Sequence, residues 1–262
     1  MTAMLDQLPP ALAIAIVSAF GAIVGSFLNV VIYRVPLGKS IVWPASACTK
    51  CGRELLWYEN VPVASWLVLR GRCRTCATPI SFQYPLIEAI TAAMFALAWW
   101  QYGPGALLAS RLIFGCALIV LFAIDLEHKL LPDLITLPGI VVGFALSFFT
   151  EPGWIASLIG LLVGGGVLYA IAEGYYRIRH EEGLGMGDVK MLSMIGAFLG
   201  WRLTLLTLML ASVSGTIIGV LLIVTRRGGM KYALPFGTFL ALGAAAAASV
   251  GPALLEWYLG LF

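Results

Sequence analysis

The chain has 262 residues with a net charge of +3; 61% are hydrophobic, 11% are charged, and the mean hydropathy is +0.96. A soluble domain carries about 25% charged residues, and so large an apolar excess cannot be buried in one core. A soluble enzyme, a disordered chain and a secreted disulfide scaffold are therefore excluded. Helices of about 20 residues fill most of this length, which predicts an all-α integral membrane protein with about eight transmembrane helices and one compact soluble module.

The predicted elements are apolar runs separated by Gly, Pro and charged residues. The first run lacks a preceding basic stretch and a small-residue cleavage site, so residues 1–33 are expected to hold a retained transmembrane helix and not a signal peptide. Residues 34–83 contain no apolar stretch long enough to span a bilayer, which predicts a soluble loop module. Residues 84–262 are expected to form a polytopic membrane domain. Its predicted spans are 85–102, 106–124, 134–149, 154–178, 189–201, 203–225 and 234–261.

The basic residues predict the orientation of these spans. If eight spans begin with the N-terminus outside, all of the 16 Lys and Arg residues except Arg111 and Arg202 belong to cytoplasmic segments, as the positive-inside rule requires. If 189–201 did not cross, Arg226, Arg227 and Lys231 would lie outside. Both termini are therefore expected outside and the loop module inside. Because the charges adjoin membrane spans, the positive net charge requires no nucleic-acid partner.

Four of the five cysteines form two Cys-x2-Cys pairs, Cys48 with Cys51 and Cys73 with Cys76. Two such pairs supply four thiolates for a tetrahedral Zn²⁺ ion, and since no coordination position stays open, the zinc would be structural. Redox dithiols and disulfides are the alternatives, and the cytoplasmic placement disfavours disulfides. Cys116 lies inside an apolar span and is expected to be a packing residue.

Two carboxylates stand at the ends of apolar spans, Asp125 after the run 118–124 and Asp188 after the glycine-rich segment 183–187. Ionisable groups at such positions are costly and mark functional sites. If the two meet, one holds a proton while the other activates water, which is what aspartyl peptide hydrolysis requires. The alternatives are an ion or proton relay in a transporter, or structural roles: a helix cap for Asp188 and an interfacial helix end for Asp125.

Other polar residues have simpler expected roles. Asp133 follows a proline and is expected to cap the next span. Glu173 and Arg177 are spaced i,i+4 and are expected to pair at the membrane interface. His128 has no partner at metal-ligand spacing, and the sequence contains no His-Glu-x-x-His, so a zinc protease is disfavoured.

A series of motifs covering nearly the whole chain resembles the type IV prepilin leader peptidases of bacteria. In chain order these are GSFLNVVIYRVP at 25–36, ENVPVASW at 59–66, LRGRC at 69–73, YPLIE at 84–88, DLEHKLLPD at 125–133, GMGDVK at 185–190 and PFG at 235–237. So many motifs in this order make the resemblance highly specific.

The resemblance implies an inner-membrane enzyme with two activities. The first cleaves the basic leader of type IV prepilins and type II secretion pseudopilins after a Gly, with Asp125 and Asp188 as the aspartic dyad. The second methylates the new N-terminal residue with S-adenosylmethionine. The implied partners are these substrates and the lipid bilayer. The alternatives from other classes are an ion-coupled transporter and a non-enzymatic pilus assembly factor.

The methyl donor site is harder to predict, because no Gly-x-Gly-x-x-Gly follows a strand. The soluble loop and its flanks are the expected location. Candidate ligands for the cofactor or the substrate amine are Glu54, Glu59, Glu88, Asn29 and Arg34. Gly25, Asn29 and Tyr33 share one face of the first span, where helix packing is the alternative use. Lys190 is expected to meet an acidic substrate side chain or to be solvated at the membrane surface.

Overall fold

The computed structural model describes residues 9–180, 184–225 and 234–260. In these ranges the chain is helical, and its strand-like pairings are two isolated bridges, Ala47 with Glu54 and Arg72 with Pro79. The predicted all-α architecture is confirmed. The α-helices are α1 (Pro10–Arg34), α2 (Ala64–Val68), α3 (Gln83–Tyr102), α4 (Ala106–His128), α5 (Asp133–Leu146), α6 (Trp154–Arg179), α7 (Met186–Val224) and α8 (Phe236–Leu259).

Within the described ranges, five helices are long and apolar enough to cross a bilayer: α1, α4, α6, α7 and α8. The chain is therefore a multi-pass membrane protein. The helices α3 and α5 coincide with the predicted spans 85–102 and 134–149. Neither is both long enough and apolar enough to be counted among these five. The 14 residues of α5 rise only about 21 Å at 1.5 Å each, less than the roughly 30 Å of a hydrocarbon core.

The helix α7 reverses direction at Gly200. The backbone there has φ 73° and ψ 170°, a conformation that glycine adopts without steric cost. A Cβ on Gly164 of α6 would lie 3.0 Å from the carbonyl carbon of Leu192 and 3.1 Å from Cγ2 of Thr204. A straight helix would separate two residues twelve positions apart by about 18 Å. The two halves of α7 therefore form a helical hairpin and correspond to two separate predicted segments.

The chain divides into two compact units, of which the first ends at Val120 and the second begins at Leu121. In the first unit α1 packs along α3, and in the second unit α5, α6 and α8 all pack on α7. The predicted domains 1–33, 34–83 and 84–262 follow composition and remain a prediction.

The first half of α7 forms the centre of the second unit, where every residue from Met191 to Gly200 is buried. α6 approaches it backbone to backbone: a Cβ on Gly160 would lie 2.5 Å from the carbonyl oxygen of Gly196. Ser157 of α6 also donates a hydrogen bond to the carbonyl of Ala197 at 2.6 Å. Because lipid supplies no hydrophobic drive between helices, small residues that allow close packing hold such contacts together.

Two smaller predictions concern side chains on the long helices. Arg177 Nε donates to Glu173 Oε1 at 2.7 Å, which confirms the pair on α6. Cys116, the expected packing residue, is half-buried in α4.

Several predicted positions lie outside the described residues. These are Gly183 before Asp188, the basic residues Arg226, Arg227 and Lys231, and the last residue of the span 234–261.

The contact between α6 and α7 predicts opposite effects for two glycine substitutions on one helix. Gly160→Ala is expected to destabilise the protein by about 1–3 kcal/mol, because the new methyl group meets α7 backbone atoms. In the control Gly166→Ala, the methyl group meets nothing within 4 Å, and alanine favours a helix by about 1 kcal/mol. Thermal unfolding of the purified protein in detergent measures both. Equal stability of the two variants would contradict the close packing.

Candidate functional site

The four loop cysteines come together as a cluster. The sulfurs of Cys48, Cys51, Cys73 and Cys76 all lie within 4.8 Å of one another, and those of Cys48 and Cys76 are 3.7 Å apart. Zn–S bonds of about 2.3 Å in a tetrahedron separate neighbouring sulfurs by roughly 3.8 Å. All four are free thiols, and the donor set and spacing fit one zinc ion.

Two equivalent turns present these thiols. The N–H of Cys48 donates to Arg53 O at 2.9 Å, and the N–H of Cys73 donates to Thr78 O at 2.8 Å. Hydrogen bonding to the Thr78 hydroxyl, 3.2 Å from the sulfur, lowers the pKa of Cys76 to about 6. At Cys51 the backbone of Arg53 lowers the pKa, but hydrogen bonds with the other three thiols raise it, to about 11. The four thiols therefore share protons, which a bound metal ion would displace because it binds the thiolate form.

Glu59, a predicted cofactor ligand, is bonded inside the loop. Its side chain is 2% exposed; it accepts two bonds from Arg53 Nη2, each 2.8 Å, and one from Leu56 N–H at 3.0 Å. The hydrogen bonds from Arg53 hold the pKa of Glu59 below its usual value. Because Arg53 lies two residues after Cys51, this ion pair ties the first cysteine turn to the 3-10 turn Trp57–Asn60. Glu54, in contrast, is exposed.

Glu88 on α3 is also buried, but it joins three segments of the first unit. Its Oε2 accepts the N–H of Val63 at 2.7 Å, and the side chain of Ser26 on α1 bonds it as well. Val63 has φ 59°, which is strained for a β-branched residue. The buried carboxylate thus holds the turn that begins α2.

The predicted stripe on α1 is mainly a packing face. A Cβ on Gly25 would lie 2.8 Å from the Cα of Glu88, and Asn29 Nδ2 donates to Tyr84 O at 3.0 Å. Tyr33, by comparison, is exposed. The alternative use of this face, close packing of α1 on α3, is therefore realised at Gly25 and Asn29.

A cavity of about 320 Å³ lies between α1 and the loop, wholly within the first unit. Arg34 lines it and donates to Ser40 O at 3.0 Å, which anchors the loop beside the cavity. Ser26, the partner of Glu88, is also on its wall. Its remaining lining residues include Ile23, Phe27, Val30, Ser46 and Asn60.

In the second unit the structure brings the two predicted catalytic carboxylates into electrostatic contact. Asp125, in the last turn of α4, is 4% exposed. Asp188 lies in the first turn of α7. The cap residue of that helix is Gly185 and there is no side-chain cap, so Asp188 is not the N-cap that was considered as an alternative. Its carboxylate accepts a hydrogen bond from the backbone of Gly185.

Thr238, which the sequence analysis missed, is the direct partner of Asp125. Its N–H and hydroxyl both donate to Asp125 Oδ2, at 2.6 and 3.0 Å. The sequence signal that could have identified Thr238 is the PFG motif at 235–237, which immediately precedes it. Leu131, between α4 and α5, packs against the turns on both sides: a Cβ on Gly187 would lie 2.9 Å from its Cβ, and one on Gly237 would lie 2.8 Å from its Cδ1. Four helix ends therefore meet around the dyad.

The structure corrects two expectations beside this site. α5 begins at Asp133 with Pro132 in the cap position and no side-chain cap, so the predicted N-cap by Asp133 is wrong. Its carboxylate instead accepts two bonds from Lys190 Nζ, at 2.8 and 2.7 Å. Lys190 is thus paired within the protein, where the sequence analysis expected solvent or a substrate carboxylate. This ion pair ties the start of α5 to the first turn of α7.

Comparison with known proteins identifies the family. Residues 19–102 match the bacterial peptidase A24 N-terminal domain, and residues 112–220 match the type IV leader peptidase family. A Pseudomonas putida protein named prepilin leader peptidase/N-methyltransferase is 36% identical over 89% of this chain and 89% of its own length. The chain belongs to the type IV leader peptidase family.

Other relatives carry the same name. One from Burkholderia pseudomallei (strain 1026b) is 39% identical over 91% of this chain and 86% of its own length. One from Myxococcus xanthus is 43% identical over 80% of this chain, which spans 64% of that relative. No solved structure matches the chain. The match to the type IV leader peptidase family contains both Asp125 and Asp188, and the N-terminal match contains the four cysteines and Glu88.

Proposed function

We propose that this chain is a bacterial inner-membrane enzyme that cleaves the leader of type IV prepilins and type II secretion pseudopilins after a Gly and then methylates the new N-terminus. The observation that carries this proposal is the meeting of Asp125 and Asp188, 63 positions apart, at one end of the second unit. The names of the family relatives agree with it. A non-enzymatic assembly factor would not need this pairing, and the relatives carry the name of an enzyme, not of a transporter.

The dyad supports hydrolysis by acid–base catalysis. One carboxylate takes a proton from water as the water oxygen attacks the scissile carbonyl carbon, and the other gives its proton to the carbonyl oxygen. The C–N bond then breaks, and the leaving nitrogen takes up the proton from the first carboxylate. Two carboxylates that repel each other, as Asp125 and Asp188 do, cannot both ionise easily. The pair therefore holds the single proton that the reaction needs.

The basic residues support a cytoplasmic location for the dyad. Lys129 follows α4, Lys190 lies in the first turn of α7, and Arg177 and Arg179 lie in the last turn of α6. Positive charge beside membrane spans marks the cytoplasmic side. A leader on the cytoplasmic side of its own membrane segment would reach carboxylates at the cytoplasmic ends of these helices.

Removing either carboxylate is expected to abolish cleavage. Asp125→Asn and Asp188→Asn keep the side-chain size but lose the proton-transferring group, so cleavage of a synthetic prepilin peptide should fall by at least about 10³-fold. Mass spectrometry of the products measures this. The matched control is Glu173→Gln, which neutralises a half-buried carboxylate paired with Arg177 on the side of α6 and should leave cleavage unchanged. Normal cleavage by either Asp variant would contradict the dyad.

We place the methyl donor S-adenosylmethionine in the cavity between α1 and the loop. Its volume is at the lower end of the roughly 300–1,000 Å³ typical of ligand pockets. Arg34 has five N–H donors, of which two bond the loop carbonyls, and the others are available to a carboxylate. Ile23 and Phe27 supply an apolar wall, and Ser26 connects the cavity to the buried Glu88. S-adenosylmethionine, when bound, supplies the methyl group for the amine nitrogen.

Filling this cavity is expected to separate the two activities. Ser46 lines the cavity, so Ser46→Trp should lower methylation at least about tenfold at fixed S-adenosylmethionine, while cleavage stays within about twofold. Val68→Trp is the control, since Val68 is exposed in the same loop module, lies outside both cysteine turns and does not line the cavity. The mass of the peptide product, cleaved or cleaved and methylated, reads both activities together. Equal methylation by the two variants would place the donor elsewhere.

We propose that the cysteine cluster holds one structural Zn²⁺, because four thiols at tetrahedral spacing leave no open coordination position. The ion would hold the two cysteine turns together and so support the loop beside the cavity.

Metal analysis of the purified protein is expected to find about one zinc per chain. Replacing Cys48, Cys51, Cys73 and Cys76 by Ser should remove the zinc and reduce methylation more than cleavage, because the cavity wall belongs to the same loop. Cys116→Ser, outside the cluster, should keep the metal. Zinc-free wild-type protein would contradict the assignment, and normal methylation by the quadruple variant would contradict the role of the loop.

A further inference from the structure

The surroundings of the two carboxylates are unequal. Asp125 Oδ2 accepts two hydrogen bonds from Thr238, the backbone bond at 2.6 Å and the hydroxyl bond at 3.0 Å. Thr238 is 6% exposed. It is the third residue of α8, whose cap is Pro235. The N–H groups of a first helical turn have no acceptor within the helix, so this donor is available to the carboxylate.

Asp188 has weaker support for a negative charge. Its hydrogen bond comes from the backbone of Gly185, and no side-chain donor to it is found in the described part of the chain. Two donors on one oxygen, one of them short, stabilise a carboxylate more than a single backbone contact does.

The charged groups around the dyad favour the same distribution. Lys129, four residues beyond Asp125, attracts the Asp125 charge, and Asp188 faces it from α7. Asp133 of α5 also lies beside this end of the unit, but its charge is neutralised by the ion pair with Lys190 of α7. The described part of α8 contains no ionisable residue before Glu256. One negative charge in this group is therefore held best on Asp125.

The contacts also indicate which oxygen of Asp125 takes the proton from water. A Cβ on Gly237 would lie 3.0 Å from Asp125 Oδ2, so the backbone of α8 and the two Thr238 donors crowd that oxygen. Oδ1 is the oxygen left for a water molecule.

We propose that Thr238 is a positioning residue that holds Asp125 as the ionised member of the dyad, so that Asp125 is the base and Asp188 the acid. This inference rests on the proposed peptidase function and assigns the two roles within it.

The resulting step is balanced in atoms and protons. Water loses a proton to Asp125 Oδ1 while its oxygen bonds the scissile carbonyl carbon, and Asp188 gives its proton to the carbonyl oxygen. In the collapse, the C–N bond breaks, the nitrogen takes the proton from Asp125, and Asp188 recovers a proton from a hydroxyl of the intermediate. Both carboxylates then return to their starting states.

The test is the pH dependence of kcat/KM for a synthetic prepilin peptide in detergent. The acid limb of this profile reports the pKa of the group that must be ionised in the free enzyme. Because the two carboxylates interact, this is a pKa of the pair and not of one residue alone. Thr238→Val removes the hydroxyl at nearly constant shape. Thr238→Pro removes both donors, and proline is tolerated in a first helical turn. Thr238→Ser keeps both donors. Thr204→Val is the matched control, since its buried hydroxyl bonds only the Gly200 carbonyl one turn earlier on α7.

The expected result is an acid limb that moves to higher pH by about 0.5–1 unit in Thr238→Val and by more in Thr238→Pro. Thr238→Ser and Thr204→Val should keep the wild-type limb. Retained folding and the Ser rescue separate this result from a loss of structure. An acid limb that stays in place in both the Val and the Pro variants would overturn the role of Thr238. A wild-type protein that cleaves no prepilin peptide would instead overturn the proposed function.

Discussion

A hydrocarbon interior cannot hydrate a charge or an unpaired backbone group, and this constraint governs the whole structure. It requires helices, and it moves ionisable side chains to helix ends. Asp125 and Asp188 stand at such ends, and the ion pair of Lys190 with Asp133 stands beside them. These three carboxylates each have a partner that lowers the cost of a charge: Lys190 for Asp133, Thr238 for Asp125 and the backbone of Gly185 for Asp188. The proposed peptidase site uses these helix ends because a hydrocarbon interior has few other places for ionisable groups.

Close packing of helix backbones fixes the positions of the helix ends that carry these carboxylates. Gly160 and Gly196 bring α6 against α7, and Gly200 turns α7 back on itself. With α7 held in this way, its first turn presents Asp188 toward the end of α4. The glycines near Leu131 serve the same end of the unit, where small residues let the turns of α7 and α8 approach the loop after α4. Small residues far from any chemistry thus position the carboxylates.

In the first unit the same principles act in a polar loop. The loop has little apolar core, so it depends on the four-thiol cluster and on buried ion pairing such as Arg53 with Glu59. Glu88 fulfils a related role by holding a strained turn against α1 and α3. Of the residues predicted to bind a cofactor, Glu59 is therefore committed to structure, Arg34 lines the cavity, and Glu88 is connected to the cavity wall through Ser26.

The sequence alone determined the features that depend on local pattern. Hydropathy predicted the helices, Cys-x2-Cys spacing predicted the sulfur cluster, and the rarity of charge singled out Asp125 and Asp188. It failed at Asp133 and Lys190, and it missed Thr238, because the partners of these residues are distant in sequence: 57 positions for the ion pair and 113 for Thr238 with Asp125. Such contacts carry no periodicity or spacing signal. They exist only once α4, α5, α7 and α8 meet, so the tertiary structure decided which carboxylate receives which donors.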